Sequence, residues 1–178
     1  GSGDFSLVAN PVGDWSYGWQ FPGGDFNLMT VPLADCTILG MSCWKRFVGG
    51  DNLPQVAINT TGHTLEAPCC VAPVNVLSMH PGPSGEQAVV RWTAPTAGKY
   101  MFSGQFQAVD RTPTGVQVSV TVDGVDAFIK TLSKFGQVAQ FRVLRNLVAG
   151  QTVAFVLDSA GNYASDTTTL RVGVLKTH

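Results

Sequence analysis

The chain reads as all-β, an antiparallel β-sandwich of jelly-roll type, on three observations. Apolar residues recur at every second position through most of the sequence, the period of strands with one buried face. Clusters of Gly, Pro, Asn and Asp break these runs at intervals of roughly ten residues, as sandwiches and barrels require. No stretch carries the three-to-four-residue apolar spacing of an amphipathic helix. The clearest case is Val116, Val118, Val120 and Val122 alternating with Gln117, Ser119, Thr121 and Asp123. Asp123-Gly124 then supplies a hairpin turn, and Val125 to Leu132 returns.

The pattern is organised around His80 to Tyr100, HPGPSGEQAVVRWTAPTAGKY. A Pro/Gly turn opens it and a strand follows from Glu86 to Ala94. Pro95 to Gly98 turns the chain into the next strand at Lys99. Both faces of Ala88–Thr93 carry apolar groups, which predicts a central strand covered on two sides. Upstream, Asp4 to Asn10 reads as a first strand, stopped by Asn10-Pro11 and Gly13. Asp14 to Gln20 is the next, with Trp15, Tyr17 and Trp19 on one face. After a turn at Phe21-Pro22-Gly23-Gly24 come Asn27 to Val31 and Thr37 to Phe47. A loop at Gly49 to Pro54 leads to Gln55–Asn59. Ala67 to Pro73 holds two prolines around Cys69-Cys70 and cannot form a central strand. Val74 to Met79 leads into the organising motif.

Beyond that motif Tyr100, Phe102, Gly104 and Phe106 alternate with polar or flexible residues. Gln137 to Leu144, Gln151 to Leu157 and Thr167 to Leu175 complete about eleven to thirteen strands. No linker interrupts them, so residues 1–178 are expected to form one sandwich domain. Gly1-Ser2-Gly3 looks like a cloning remnant, which puts the native start elsewhere.

Hydrophobic residues make up 44% of the chain and charged residues only 13%, about half the usual share. Ser, Thr, Asn, Gln and Gly must therefore cover the surface, as they do in many secreted β-proteins. A net charge of -1 with no basic run argues against nucleic acid and anionic membrane surfaces as partners. No apolar segment approaches the roughly 20 residues that span a bilayer by helix. Cys36, Cys43, Cys69 and Cys70 allow several pairings. Adjacent Cys69 and Cys70 are poorly placed to bond each other, so Cys36 or Cys43 bridged to one of them is feasible. A zinc reading, with His63 and His80 added, lacks any CxxC-type spacing. Buried thiols or one to two bridges fit better.

NPVGDWSYGWQ, then HPGPSGEQAVVRWTAPTAGKY, VTVDGV and LVAGQTVAFVLDSAGNYASDTTTLRV resemble, in that order, a domain of secreted or surface proteins of environmental bacteria. More broadly the pattern is similar to jelly-roll carbohydrate-binding modules. The resemblance covers most of the chain and thins over residues 35–75. It implies a secreted or cell-surface location and a polysaccharide or glycan partner, bound without chemistry. It also implies a structural calcium between first and last strands, and Asp4 with Asp166 would suit that place. Asp158, opening the oxygen-rich loop 158–166, is the third candidate ligand.

Stacking on a pyranose needs an accessible ring. Trp44, next to Lys45, Arg46 and a Gly-rich loop, is the expected exposed indole. Trp15, Tyr17 and Trp19 form either the sandwich core or a stacking platform; Trp92 belongs to the core. The expected ligand-binding set is Trp44, Arg46, Trp19, Tyr17, Tyr163 and Arg91. Arg91, if buried, needs a carboxylate partner, Glu86 or Glu66. His80 reads as a turn residue with its ring bonded to backbone. No GxSxG, phosphate loop or dinucleotide motif occurs, and Glu66 and Glu86, the only glutamates, lie in no glycosidase-like motif. A structural or adhesion module with a protein partner is the alternative, and a polysaccharide hydrolase or lyase the third.

Overall fold

A computed structural model describes residues 4–36, 40–47 and 53–177. Among them are fifteen strands, numbered along the chain, and no helix long and apolar enough to cross a membrane. The first sheet has the order β12 (Val125–Leu132), β11 (Val116–Val122), β14 (Thr152–Asp158), β9 (Gln87–Thr93), β1 (Trp15–Gln20), β2 (Asn27–Leu28). The second runs β13 (Val138–Leu147), β10 (Gly98–Ala108), β15 (Thr168–Thr177), β8 (Leu77–His80), β5 (Gln55–Asn59), β4 (Met41–Lys45), β3 (Val31–Leu33). A small ribbon joins β6 (Leu65–Glu66) to β7 (Val71–Ala72). Neighbouring strands pair antiparallel throughout. From β8 to β15 the chain changes sheet at every connection except the β11–β12 hairpin. This is the sandwich the two-residue period predicts.

Alternation decides which groups meet between the sheets. Ala88, Val90 and Trp92 of β9 face inward with Val116, Val118, Val120, Phe155 and Leu157. Rings from the two sheets interlock there: Trp92 lies 4.9 Å from Tyr100 and 5.2 Å from Phe102, and Phe155 lies 5.5 Å from Phe141. Strand β9 is central, between β14 and β1, and Val89 on its other face is buried as well. Gly104 in β10 is a close-approach position. A Cβ there would fall 2.0 Å from the Arg171 carbonyl oxygen and 2.9 Å from the Phe141 ring.

Three expectations need correction. Residues 4–10 do not form a strand. They lie over the rim of the core, with Phe5 5.0 Å from the Tyr17 ring and the Ser6 carbonyl accepting the Trp44 indole N–H at 2.7 Å. The Asn10 side chain takes the place of a strand neighbour. It accepts from Tyr17 N and donates to the carbonyls of Tyr17 and Met29. The strand expected over Thr37 to Phe47 reduces to β4, residues 37–39 lying outside the described range, as do residues 49–52 of the expected loop. Finally, Cys36 bonds Cys43, leaving Cys69 and Cys70 as thiols. Cys43 shares an apolar cluster with Met41, Ala57 and Ala72, against which Cys36 packs.

Tyr17 is sealed, and its hydroxyl has no hydrogen-bond partner among the described residues. Burial, and secondarily the charge of Asp4, push its ionisation far above the usual phenol range. An unpaired hydroxyl in an apolar setting costs on the order of 1–3 kcal/mol. Tyr17→Phe should therefore raise stability by roughly 1 kcal/mol, seen as a higher urea midpoint at unchanged slope. A lower midpoint would mean that the hydroxyl has a partner.

Candidate ligand-binding groove

The outward residues of β1, β9, β14 and β11 are polar or small, and register lines them up across the sheet. Gln20 faces Gln87, Leu157 faces Ala88, and Gln117 faces Asp158. One row therefore reads Gln20, Gln87, Asp158, Gln117. Gln20 Nε2 donates to Gln87 Oε1 at 2.9 Å, and Gln87 Nε2 donates to Asp158 Oδ2 at 2.6 Å. The next rows hold Ser119, Val156, Val89 and Gly18, then Thr121, Ala154, Arg91 and Ser16. Few of these side chains rise far above the sheet.

Two turns wall this floor. One is the β1–β2 connection at residues 21–26; the other is the β11–β12 hairpin, where Asp123 and Gly124 both adopt positive φ. Asp123 ties its hairpin down, Oδ1 accepting from Thr152 N at 2.8 Å and Oδ2 from Gln151 Nε2 at 2.7 Å. Between the walls lie two adjoining hollows of about 390 and 180 Å³ that share Gln20, Gly23, Thr121 and Gly124. They form a continuous groove.

Phe26 closes one end. Its ring lies over Gly18, where any Cβ would come within 2.4 Å of it. The Arg91 guanidinium stacks on that ring at 3.6 Å from its centroid. The expected carboxylate partners are elsewhere: Glu86 pairs with Arg46 and Glu66 with Arg111. Arg91 Nε is buried without a hydrogen bond among the described residues. Burial draws its pKa below the usual guanidinium value, but an arginine remains cationic at neutral pH. Aromatic stacking thus holds a donor-rich cation at the groove end without consuming its charge.

The other expected site residues scatter. Trp44 and Tyr17 are sealed in the core, 5% and 0% exposed. The polar neighbours of Trp44 suggested exposure, but pairing with Val56 turns its indole inward, under the Ser6 carbonyl. Trp19 and Arg46 do come together. The Arg46 guanidinium lies 3.7 Å from the Trp19 ring and 4.2 Å from Phe47, and ion-pairs with Glu86. Phe21 and Phe47 around it are nearly half exposed, so this is a second aromatic margin at the sandwich edge. Tyr163 sits half-buried, edge-on to His80 at 6.5 Å. His80 Nδ1 donates to the Pro81 carbonyl at 2.9 Å, as the turn reading predicts, and burial holds its pKa below the usual imidazole range.

The three acidic residues expected to bind calcium do not converge. Asp4 lines a cleft with Asp14, Tyr100 and Lys176, near the far end of β15. Asp166, just before the start of β15, accepts from the Thr114 N–H and hydroxyl. Asp158 accepts from Gln87 and from Ala160 N. Among the described residues, one trio of acidic, thiol or imidazole groups brings its donor atoms together: Cys69, Cys70 and Asp110. Sequence reasoning missed Gln20, Gln87, Thr121, Asp123 and Phe26. Their signal was present as the polar half of each alternation, but only the register assembles those halves into one surface.

No protein-family model matches the chain, and no curated protein matches it in sequence. Solved structures give distant likenesses. CBM51 of Clostridium perfringens GH95, solved with methyl-galactose, is 14% identical over 64% of this chain and 79% of its own, with a TM-score of 0.41. A CBM4 structure is 14% identical over 66% and 81%, TM-score 0.39. The CBM36-1 domain of a multidomain xylanase from the hindgut metagenome of Trinervitermes trinervoides is 10% identical over 65% and 85%, TM-score 0.41. At such distances the meaning of the groove rests on its own geometry.

Asp166 yields a test independent of any ligand. Its carboxyl is pushed up to about 6, by burial first and also by Asp110, against the pull of the Thr114 and Gly115 donors. An unfolded aspartate titrates near about 4, so between these values the native state binds the extra proton. Stability should fall as pH rises through about 4 to 6, by on the order of 1–2 kcal/mol. Asp166→Asn keeps an oxygen for Thr114 and should flatten that slope in urea titrations at stepped pH. An unchanged slope would place the titration elsewhere.

Proposed function

We propose that this chain is a non-catalytic glycan-binding module, working outside the cytoplasm, that takes a polysaccharide along the groove of the first sheet. The observation that carries the reading is the Gln20–Gln87–Asp158 ladder lying open on that floor beside Thr121 and Arg91. Sugar hydroxyls both donate and accept, and a side-chain amide offers both functions in one plane. Small residues beneath let a pyranose lie close to the sheet. Phe26 supplies an apolar surface at one end for the C–H face of a ring. Asp25, Asp123 and Asp126 outnumber Arg91 among the charged lining residues, which favours a neutral over a polyanionic chain. The low-charge polar surface supports the location.

Binding rather than hydrolysis fits the state of both glutamates and of Asp123 and Asp158, while Asp25 and Asp126 stand exposed on the groove walls. Glu86 and Glu66 are ion-paired to Arg46 and Arg111, and Asp123 and Asp158 spend oxygen lone pairs on protein donors. Affinity in the micromolar to millimolar range, about 4 to 8 kcal/mol, is expected of such an open site. Calorimetry and affinity electrophoresis against neutral and anionic polysaccharides should find a neutral ligand. Gln87→Ala and Thr121→Ala should each weaken binding about tenfold, near 1.4 kcal/mol; Lys99→Ala, on the other sheet, should leave it intact. Loss in Phe47→Ala without loss in Gln87→Ala would move the site to the Trp19–Arg46 margin. A folded protein that binds no glycan would leave the protein-partner module as the reading.

A further inference from the structure

We propose that Cys69, Cys70 and Asp110 form a binding site for a thiophilic divalent cation of the zinc type, with His80 as the fourth donor. It lies apart from the groove and does not depend on the glycan reading. One sulfur from each cysteine and one carboxylate oxygen lie within 4.8 Å of one another. They line a cavity of about 150 Å³ that His80 also lines. A tetrahedral ion with bonds of about 2.0–2.3 Å needs its donors slightly closer than this, a small closure for two side chains on one short segment; His80 lines the cavity but lies outside this set of close donors and must swing further to fill the fourth position.

The chemistry of the cavity asks for a cation. Two thiols and a carboxylate share it, and among the described residues no lysine or arginine lines it. Arg111, next in sequence, turns away to Glu66 and the Ala67 carbonyl. Asp110 and Cys70 are each 2% exposed while Cys69 is open to solvent, so an ion could reach the two buried donors from the Cys69 side. His80 is prepared in the manner of metal-bound imidazoles. Its Nδ1–H is given to the Pro81 carbonyl, so Nε2 carries the free lone pair.

The main chain holds the donors firmly. Arg111 N bonds the Cys69 carbonyl at 2.8 Å, Ala67 N bonds the Cys70 carbonyl at 2.9 Å, and Asp110 Oδ2 accepts from Thr167 N. Segments at residues 69–70, 80, 110 and 165–167 meet here, so a bound ion would staple the end of β8 to the exit of β10 and the entry to β15. On binding, each thiol loses a proton to solvent and its sulfur lone pair enters the metal bond; no electrons change hands.

The test uses the whole chain purified without reductant or chelator. Mass and thiol counting should first find Cys69 and Cys70 free. Cobalt(II) should then bind at one equivalent, with a sulfur-to-cobalt charge-transfer band and the intense visible bands of a tetrahedral ion, and zinc(II) should displace it. Cys69→Ser alters an exposed residue, so folding should persist, while affinity falls at least about tenfold and the charge-transfer band shrinks. His80→Gln and Asp110→Asn should weaken binding similarly. At the same zinc concentration, zinc should raise Tm more in the wild type than in Cys69→Ser. A Cys69–Cys70 disulfide in the purified protein, a weak octahedral cobalt spectrum, or wild-type cobalt affinity in Cys69→Ser would each overturn the site.

Discussion

The interlocking of rings between the two sheets governs the rest of this molecule. Trp92 of β9 fits against Tyr100 and Phe102 of β10, and Phe155 of β14 against Phe102 and Phe141. Each such ring removes about 150–250 Å² from water, worth roughly 4–6 kcal/mol before entropy. Trp15, Trp44 and Trp92 are all committed to the interior. What remains outside near the groove is mostly amide, hydroxyl and charge, with Phe26 and the Trp19 margin as the aromatic surfaces beside it and Phe135 exposed elsewhere. The demand for a sealed core thus sets the polar character of the groove.

Much of the architecture was legible because a strand writes its period locally. Gln55–Asn59 and Val125–Leu132 are the bounds read from sequence and the bounds of β5 and β12. The two-faced apolar pattern of Ala88–Thr93 correctly marked β9 as central. Alternation states which residues share a face, however, and leaves open which face lies inside. Trp15, Tyr17 and Trp19 were rightly grouped, yet platform and core remained alternatives until the structure put Trp15 and Tyr17 inside and left Trp19 half-buried at the edge. Trp44 misled for a related reason: its polar neighbours Lys45 and Arg46 are local, while the Ser6 carbonyl that satisfies its indole stands 38 residues away.

The groove was illegible on similar grounds. Gln20 and Gln87 are 67 residues apart, and Gln87 and Asp158 are 71 apart. No window on the sequence contains the ladder. The two arginines show how partners sort such residues. Arg46 and Arg91 both stack on aromatic rings, but Glu86 neutralises the first while the second has no ion-pair partner among the described residues. Glu86 was an expected partner for Arg91, five residues on. Alternation puts residues separated by an odd number on opposite faces, so the nearer glutamate in sequence was never on the same side of the sheet.

The choice of the first sheet over the second follows from what each outer face offers. On the second sheet the ribbon β6–β7 and the cluster around Cys36–Cys43 cover the β4–β5 half. The open half carries Leu144, Met101 and Leu175 in one cross-strand row, with Lys99 and Arg142 beside it. A hydroxyl-dense chain laid across that row would lose hydration without return; neighbouring rows such as Gln140–Gln105–Arg171 are polar, but among the described residues they form no hydrogen-bonded ladder like that of Gln20, Gln87 and Asp158. On the first sheet each row that would lie beneath a sugar contains a donor or an acceptor, and in the Gln20–Gln87–Asp158 row neighbours across the strands hold them in place. A ligand rich in hydroxyls exchanges water for equivalent partners there, and the hydrogen bonds among Gln20, Gln87 and Asp158 mean that little side-chain freedom is lost on binding.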